Sequence, residues 1–470
     1  MSSSFYDFQR SLLPCVMAMS QRGLCVDDAL RKQRLAALTQ EAESIREQVK
    51  PIVESVKDRL KEKELLWTTK VCRSCRNGKK KRLTCAACSS MGKHTEFSFN
   101  LGSQRQMCDV LYNGLKLPIR TRDGHLCADE EAFKSLLALD RTTFVGMSLR
   151  FSKLSSIREI YDRLAPALDG CVRTVFNIAG TYTGRFSSAA AFYVPHSTNL
   201  QNLPAQEAQR DPLFAVRECI VPLPGEVFVY ADLSQAEARV VAVLSDDGEL
   251  LERWVDAGFD LHRWTASRIF DKSMDAITDA ERFLGKKSRH ALNYGMGPNK
   301  FWRTVNDSAD LTGVAITLAQ AKEIYKGYHA LHPNLDKVWW NRVQRMLESR
   351  QPMTATHCGW QANLWPRFDE AGQLDQESLR AAIAWEPQHT VVHVLNEGMQ
   401  ELYSKEEGYR VLFQGHDSVL LGASKHRWRE VARKAKKALE RSIVVHGTKM
   451  TIPAEVFVGK ENWASLERVL

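Results

Sequence analysis

Long apolar runs are missing from this sequence of 470 residues. No stretch approaches the roughly 18 apolar residues that a membrane-spanning helix needs. The opening segment MSSSFYDFQRSLLPC has neither an arginine-rich nor a hydrophobic targeting core. Internal repeats and low-complexity tracts are also missing, which excludes the solenoid and disordered classes. We therefore expect a globular chain that needs no membrane and works where it is made.

Cysteine usage excludes a disulfide framework for most of the chain. Seven of the 11 cysteines are scattered singly, which is typical of reduced thiols inside a cell. Charge of neither sign dominates, since charged residues make up 26% of the chain and the formal net charge is +9. This basic tilt suits a polyanionic partner, and an ordinary basic surface is the alternative. The length predicts about two to four packed subdomains.

Two aspartates lie at the ends of apolar runs of strand length. Asp232 ends the run VFVYAD, and Asp417 lies between the apolar halves of YRVLFQGHDSVLLGA, which predicts a hairpin with Asp417 at its tip. If both join one sheet, the two carboxylates meet at its edge. There they suit two hard cations about 4 Å apart, an arrangement used for nucleotidyl transfer. The alternative is that each aspartate is a turn or helix-capping residue.

A capping box at Thr278 and Glu281 predicts the start of a helix that runs to Gly295. Four side chains recur four residues apart and form one stripe: Arg282, Lys286, His290 and Tyr294. The stripe is first basic and then aromatic, an order that suits the phosphates and then the sugar and base of a nucleoside triphosphate. The alternative is a solvated cationic face that ends in a packed tyrosine.

Three segments occur in an order that resembles a known family, the family A DNA polymerases of the bacterial DNA polymerase I kind. DLSQAEAR (232–239) resembles the first palm motif, RFLGKKSRHALNYG (282–295) the nucleotide-binding finger helix, and QGHDS (414–418) the second palm motif. Further similar segments are TGRFSS with NLQNLP (183–204), FNLGSQRQ (99–106), DLHRWTAS (260–267) and GKENW (459–463). The resemblance covers nearly the whole chain and implies an α+β right-hand fold with an antiparallel palm sheet, helical fingers and a helical thumb.

The resemblance also implies a division of the chain. Residues 1–155 would form the thumb region with an insertion at about 67–96, residues 156–245 the first part of the palm, residues 246–380 the fingers and residues 381–470 the second part of the palm. The opening resembles the start of the polymerizing domain, so we expect no 3'-5' exonuclease domain. Compact versions of this kind resemble bacteriophage enzymes, which would place the chain in the cytoplasm of a bacterial host.

The family's nucleotide-site roles carry over to matching positions. Asp232 and Asp417 would hold two Mg2+ ions, and Glu237 resembles the gate that excludes a ribose 2'-hydroxyl and so favours DNA over RNA. Arg282 and Lys286 match the triphosphate contacts. The resemblance also assigns Tyr294 to stacking at the template base, and His290 and Gln235 to the nucleotide site. The implied activity is template-directed, two-metal-ion addition of deoxynucleotides to a primer 3' end in replication or repair.

The implied partners are primer-template DNA and dNTPs, and the resemblance leaves room for a separate exonuclease or processivity factor. Arg185 and Gln388 resemble residues that touch the nascent duplex in its minor groove, where contacts depend little on sequence. His416 is similar to the histidine beside the primer end. Arg380 is a further position that the resemblance assigns to DNA binding.

Several positions depart from the family pattern. Ser418 stands where a glutamate usually follows the second palm aspartate, and His290 replaces a phenylalanine or tyrosine. Ala384 and Glu386 replace an asparagine and an apolar residue in RAAIAWEPQ. Two alternatives therefore stay open, a catalytically silent duplex-binding scaffold, which Ser418 favours, and a single-subunit RNA polymerase or reverse transcriptase, which Glu237 disfavours.

Four cysteines form two close pairs within a short basic segment. The spacing Cys72-x2-Cys75-x9-Cys85-x2-Cys88 predicts a tetrahedral thiolate site for one structural Zn2+ ion, and four unligated thiols in a surface loop are the alternative. The usual family pattern has no such element. The surrounding basic side chains are Arg73, Arg76, Lys79, Lys80, Lys81 and Arg82. They could rest on the duplex that leaves the active site or could form a solvated turn.

Overall fold

The computed structural model describes residues 5–60, 62, 66–71, 93–122, 124–178, 180–194, 196–204, 211–254, 259–307, 309 and 313–470. The chain folds into two compact units. One consists of Met1–Arg31 and Arg163–Leu470, and the other of Lys32–Asp162. In the described part of the chain, no helix combines the length and the apolarity that crossing a bilayer requires.

The first part of the chain is mainly helical. Its elements are α1 (Phe5–Arg22), β1 (Leu24–Val26), α2 (Asp28–Val56), β2 (Trp67–Val71), β3 (Lys93–Phe97), α3 (Gln104–Cys108), β4 (Thr121–Arg122), β5 (His125–Leu126), α4 (Glu130–Leu136) and α5 (Phe144–Arg163). Helix α2 ends in a 3-10 turn, Lys57–Leu60. Residues 28–60 therefore form one nearly continuous helical segment.

The larger unit carries the remaining elements. Its strands are β6 (Cys171–Val172), β7 (Val175–Asn177), β8 (Ser187–Ala189), β9 (Ile220–Val221), β10 (Glu226–Leu233), β11 (Met353–Ala355), β12 (Trp360–Ala362), β13 (Tyr409–Gln414), β14 (Ser418–Ser424), β15 (Ser442–Val445), β16 (Thr448–Thr451), β17 (Ala454–Gly459) and β18 (Leu466–Arg468). Its helices are α6 (Ala236–Leu244), α7 (Gly248–Arg253), α8 (Leu261–Phe270), α9 (Asp279–Leu292), α10 (Pro298–Asn306), α11 (Leu318–Leu331), α12 (Asn341–Glu348), α13 (Gln376–Ser404) and α14 (Trp428–Leu439).

An antiparallel sheet in the order β13-β14-β10-β17-β18 is the core of the larger unit. Strand β10 lies at its centre, and Val227, Phe228, Val229 and Ala231 are buried. Both edges of β10 are paired and α14 packs against it, so the strand is nearly continuously apolar. The predicted hairpin is present as β13 and β14.

Helix α9 begins with the predicted capping box. The Glu281 amide donates to Thr278 Oγ1 at 3.2 Å, and the Thr278 amide donates to Glu281 Oε2 at 2.9 Å. The helix ends at Leu292, short of the predicted end at Gly295, because the Gly295 amide turns back to the Leu292 carbonyl and Gly295 adopts a φ of 72°. Tyr294 therefore lies just beyond the helix that carries the rest of the stripe.

Helix α9 packs closely on α8 because one of its residues has no side chain. A Cβ placed on Gly285 would lie 2.2 Å from the His262 carbonyl oxygen, which is closer than any real contact. Glycine at this position therefore sets the distance between the two helices. The packing fixes the cationic face of α9 relative to the N-terminus of α8.

Candidate active site

A cleft in the larger unit separates a carboxylate-bearing sheet edge from the cationic side chains of α9 and from Tyr294, which follows this helix. The structure brings together the side chains that the sequence assigned to Mg2+ and nucleotide binding: Asp232, Gln235, Glu237, Arg282, Lys286, His290, Tyr294 and Asp417. The cleft therefore joins the two separate sequence patterns, the paired aspartates and the helical stripe, into one site.

The two aspartates are held at the same edge of the sheet. Asp232 lies near the end of β10, and Asp417 lies in the turn between β13 and β14. The Leu233 amide donates to the Asp417 carbonyl at 2.9 Å, which fixes this turn beside the end of β10. Asp232 is half-buried, whereas the Asp417 side chain faces the open cleft.

A third carboxylate lies in the cleft, and the sequence interpretation missed it. Glu455 on β17 is the direct antiparallel neighbour of Asp232, and Ser418 on β14 is the neighbour on the other side. Ser418 is buried, and its neutral hydroxyl supplies no charge. Glu455 also pairs with Arg468, with an N to O distance of 3.1 Å. An acidic residue in the strand AEVFVG was the available sequence signal, but only the register shows which neighbour it has.

Ionisation of the two aspartates is unfavourable in the cleft. Burial raises the pKa of Asp232 well above its usual value, and the nearby charges of Asp417 and Glu455 raise it further. Desolvation by the walls of the cleft also raises the pKa of Asp417, while the Arg185 guanidinium acts in the opposite direction. Because the pKa values of both Asp232 and Asp417 are raised, a bound cation would stabilise their ionised forms. Carboxylate oxygens are the ligands that Mg2+ prefers, so the donor set fits the two predicted ions.

Replacing Asp232 with asparagine is expected to raise the melting temperature of the metal-free protein at pH 8 by at least about 2 °C. A carboxyl group whose pKa is raised by folding costs stability when it ionises, and this cost disappears as the pH falls through the folded-state pKa toward the unfolded-state value. The gain should therefore shrink at pH 4 and also in Mg2+, which stabilises only the wild type. Thermal unfolding in chelator checks this, with the exposed Asp275→Asn variant as control.

Glu237 connects two of the other predicted residues. The Tyr294 hydroxyl donates to Glu237 Oε2 at 2.5 Å, and the Arg185 guanidinium donates to Glu237 Oε1. Burial raises the pKa of Tyr294, and the adjacent Glu237 charge adds to this effect. The Tyr294 ring also meets Trp339 edge to face, with centroids 6.4 Å apart. Tyr294 is thus fixed as a neutral hydrogen-bond donor at the end of the cleft.

The cationic side of the cleft is positioned by the N-terminus of α8. Asp260 caps α8 by accepting from the amides of His262 and Arg263, and its other oxygen accepts from Arg282 Nε at 2.6 Å. The Gln235 side-chain oxygen accepts from the Leu261 amide at 3.0 Å. Arg282 is therefore held in place by a residue that also begins the neighbouring helix.

The predicted DNA contacts lie outside the set of described residues that line this cleft. Gln388 is half-buried and Arg380 is exposed, both on α13. His416 precedes Asp417 in the same turn, and partial desolvation by the surrounding groups, followed by the Arg185 charge, lowers its pKa. The predicted zinc ligands Cys72, Cys75, Cys85 and Cys88 lie outside the residues that the structure describes.

One of the departures on α13 has a structural partner. Glu386 is buried, and its carboxylate lies 3.1 Å from His446 Nε2 and accepts from the Thr356 amide at 3.3 Å. Ala384, the other departure on this helix, is also buried. Glu386 therefore connects α13 by hydrogen bonds to the β11–β12 connection and to the β15–β16 turn.

Comparison with known proteins identifies the family. The family model described as DNA polymerase family A matches residues 72–465, so the chain belongs to this family. It is 29% identical over 378 residues to the thermostable DNA polymerase I of Thermus thermophilus, covering 78% of this chain and 42% of that protein. It is 26% identical over 381 residues to DNA polymerase I of Helicobacter pylori, covering 78% and 38%. The chain thus spans about two fifths of the length of these curated relatives.

The fold is also that of a solved polymerase domain. The chain matches the POL domain of Pol1 from M. smegmatis, solved in complex with DNA primer-template and dNTP, with a TM-score of 0.74 at 21% identity. The match covers 97% of this chain and 70% of the solved chain. The predicted α+β right-hand polymerase fold is therefore confirmed.

Proposed function

We propose that this chain is a DNA-directed DNA polymerase that adds deoxynucleotides to a primer 3' end. The observation that carries the proposal is the cleft itself, in which carboxylates at one sheet edge lie opposite Arg282, Lys286 and Tyr294. A metal-bound triphosphate needs this combination of anionic and cationic groups. The printed description of the M. smegmatis structure, a complex with DNA primer-template and dNTP, supports the same ligands.

In the proposed mechanism Asp232 and Asp417 would hold two Mg2+ ions, with Glu455 as an additional carboxylate. When bound, such ions supply Lewis acidity that activates the primer hydroxyl and neutralises the leaving pyrophosphate. Arg282 and Lys286 bind and orient the triphosphate. Asp260 holds Arg282 in position before the nucleotide arrives, so less ordering remains to be done on binding. Catalysis is then mainly positioning and charge neutralisation.

Glu237 is proposed as the sugar gate, and its replacement tests this role. Glu237→Ala is expected to reduce the preference for dNTPs over NTPs by about 10- to 100-fold, because it removes the side chain that would meet a 2'-hydroxyl. The measurement is the ratio of kcat/KM for the two nucleotides. Glu237→Gln keeps the side-chain volume and should retain most of the preference. An unchanged ratio in the alanine variant would exclude the gate.

The remaining assignments are proposals of the same kind. Arg185, Gln388, His416 and Arg380 would contact the primer-template, and Arg185 would exchange its bond with Glu237 for the duplex. The compact unit Lys32–Asp162 overlaps most of the proposed thumb region. We propose one structural Zn2+ at the cysteine pairs of the segment 72–88. A bacteriophage origin and a separate editing exonuclease stay predictions.

The decisive experiment is extension of a labelled primer on a DNA template with Mg2+ and either dNTPs or NTPs. Extension with dNTPs supports the DNA polymerase, and equal or better extension with NTPs would favour the RNA polymerase alternative. An RNA template in the same assay tests for reverse transcriptase activity. Tight duplex binding without extension under any of these conditions would instead favour the silent scaffold.

A further inference from the structure

A cluster of metal-ligand side chains lies in the larger unit, apart from the cleft and its carboxylates. His389 and His393 are four residues apart on α13 and so share one face of the helix. His357 and Cys358 lie in the connection between β11 and β12. One ligand atom from each of His357, Cys358 and His393 lies within 4.8 Å of the other two. Parts of the chain that are distant in sequence thus converge on one point.

The nitrogen atoms of this cluster are arranged for coordination. His357 Nε2 and His393 Nδ1 are buried, and neither has a hydrogen-bond partner among the residues that the structure describes. An orphaned buried nitrogen is costly unless a ligand satisfies it. His389 Nδ1 lies 3.1 Å from the Thr183 carbonyl, to which it can only donate, so His389 Nε2 carries the lone pair. That nitrogen lies 3.6 Å from Cys358 Sγ.

Burial favours the protonation state that imidazole ligands need. It lowers the pKa of His357 to about 3, that of His389 to about 2 and that of His393 to about 4, so the three rings are neutral at pH 7. Burial raises the pKa of Cys358 to about 11, so this thiol keeps its proton without a cation. Metal binding deprotonates a coordinating thiol and would release this proton.

We propose that His357, Cys358, His389 and His393 form a structural zinc site. Imidazole nitrogen and thiolate sulfur are the ligands that Zn2+ takes in tetrahedral sites, and the bond from His389 to the Thr183 carbonyl is the outer interaction that orients such a ligand. This set of ligands shares no residue with the cysteine pairs of the segment 72–88 or with the predicted Mg2+ ligands. The competing interpretation is an aromatic cluster without metal, since Trp385 stacks on His389 at 5.4 Å and 5°.

The zinc ion would join the β11–β12 connection to α13, and both α13 and the loop bonded to His389 carry predicted DNA contacts. His389 follows Gln388 on α13, and its bond to Thr183 reaches the loop that carries Arg185. Gly184 lies between Thr183 and Arg185 in this loop. A Cβ on Gly184 would be 3.2 Å from His389 Nδ1, so the loop is packed tightly on the cluster. Metal loading should therefore order the surface that contacts the duplex, a consequence that rests on the proposed function, whereas the metal site itself does not.

The test measures metal binding without DNA or nucleotide. The cysteine pairs are first removed by replacing Cys72, Cys75, Cys85 and Cys88 with serine in the full chain, so that their zinc does not interfere. This parent is expected to bind one Zn2+ per chain, to gain thermal stability from it, and to show a thiolate-to-metal charge-transfer band with Co2+. Cys358→Ser should abolish the band, and His393→Gln should weaken Zn2+ binding by at least about 10-fold.

The control is Cys127→Ser, which removes a buried thiol from the other unit and should leave binding and the Co2+ band unchanged. Circular dichroism checks that each variant is folded. The parent keeps the native residues of the cluster. Its Co2+ spectrum therefore tests the proposed zinc site even if a variant fails to fold. A parent without bound Zn2+ or Co2+, or an unchanged spectrum in Cys358→Ser, would overturn the site and leave the polymerase proposal untouched.

Discussion

Primer extension by the Asp417→Ala variant is expected to fall at least about 10³-fold below that of the wild type in Mg2+ and dNTPs. Asp417 lies at the tip of the β13–β14 turn, where the Leu233 amide fixes it beside Asp232. Alanine removes a charge that no neighbour in the turn replaces, because Ser418 is uncharged and buried. Extension of a labelled primer under single-turnover conditions measures the loss.

The Asp417→Ala variant should still bind primer-template DNA within about threefold of the wild type, since a phosphate-binding surface is not removed. The Asp275→Ala variant removes an exposed aspartate outside the cleft and should extend primers normally. Wild-type activity that survives in Asp417→Ala would contradict the two-metal site. In that case Asp232 and Glu455 alone would have to hold the metal ions that primer extension requires.

Replacement of Lys286 with alanine is the second large effect that we expect. The kcat/KM for dNTPs should fall by about 10²- to 10³-fold, because a cation that faces the triphosphate is lost from a cleft where charge interactions are strong. Lys286 lines the cleft and its charge lowers the pKa of Asp232, although burial and the other carboxylates outweigh it. Steady-state kinetics at saturating primer-template separate the effects on kcat and KM.

The next residue provides a matched control for this experiment. The Lys287 ammonium lies over the Phe283 ring, 5.4 Å from its centroid, and is not among the residues that line the cleft. Lys287→Ala removes the same charge from the same helix and should change kcat/KM by less than about threefold. An equal loss in both variants would show that general charge, rather than contact with the triphosphate, explains the effect.

Much of the site could be predicted because its chemistry is local in sequence. The capping box at Thr278 and the four-residue spacing from Arg282 set one helical face without any distant contact. The apolar run that ends at Asp232 predicted a strand, and the turn that holds Asp417 predicted a hairpin. The pairing of β10 with β14 could be proposed from these patterns, because the carboxylates require a shared edge to act together.

The features that were missed depend on register and long-range packing. Glu455 becomes a neighbour of Asp232 only through the pairing of β10 with β17, and a shift by one residue would turn it to the other face. His357 and Cys358 meet His393 only because a hairpin connection packs on α13. The true end of α9 was also missed, because the turn at Gly295 overrides the regular spacing of the stripe.

The position of β10 in the sheet has a consequence for how the chain acquires its structure. This apolar strand pairs on both sides with strands that follow it much later in the sequence, at Ser418 and at Glu455. During synthesis this strand stays unpaired and exposed to solvent until the intervening helices and its partner strands have been made. Pairings between distant segments form slowly, and the apolar surface that is exposed in the meantime favours aggregation. We expect the yield of folded protein to improve when expression is slow and cool, and refolding from denaturant to be limited by assembly of this sheet.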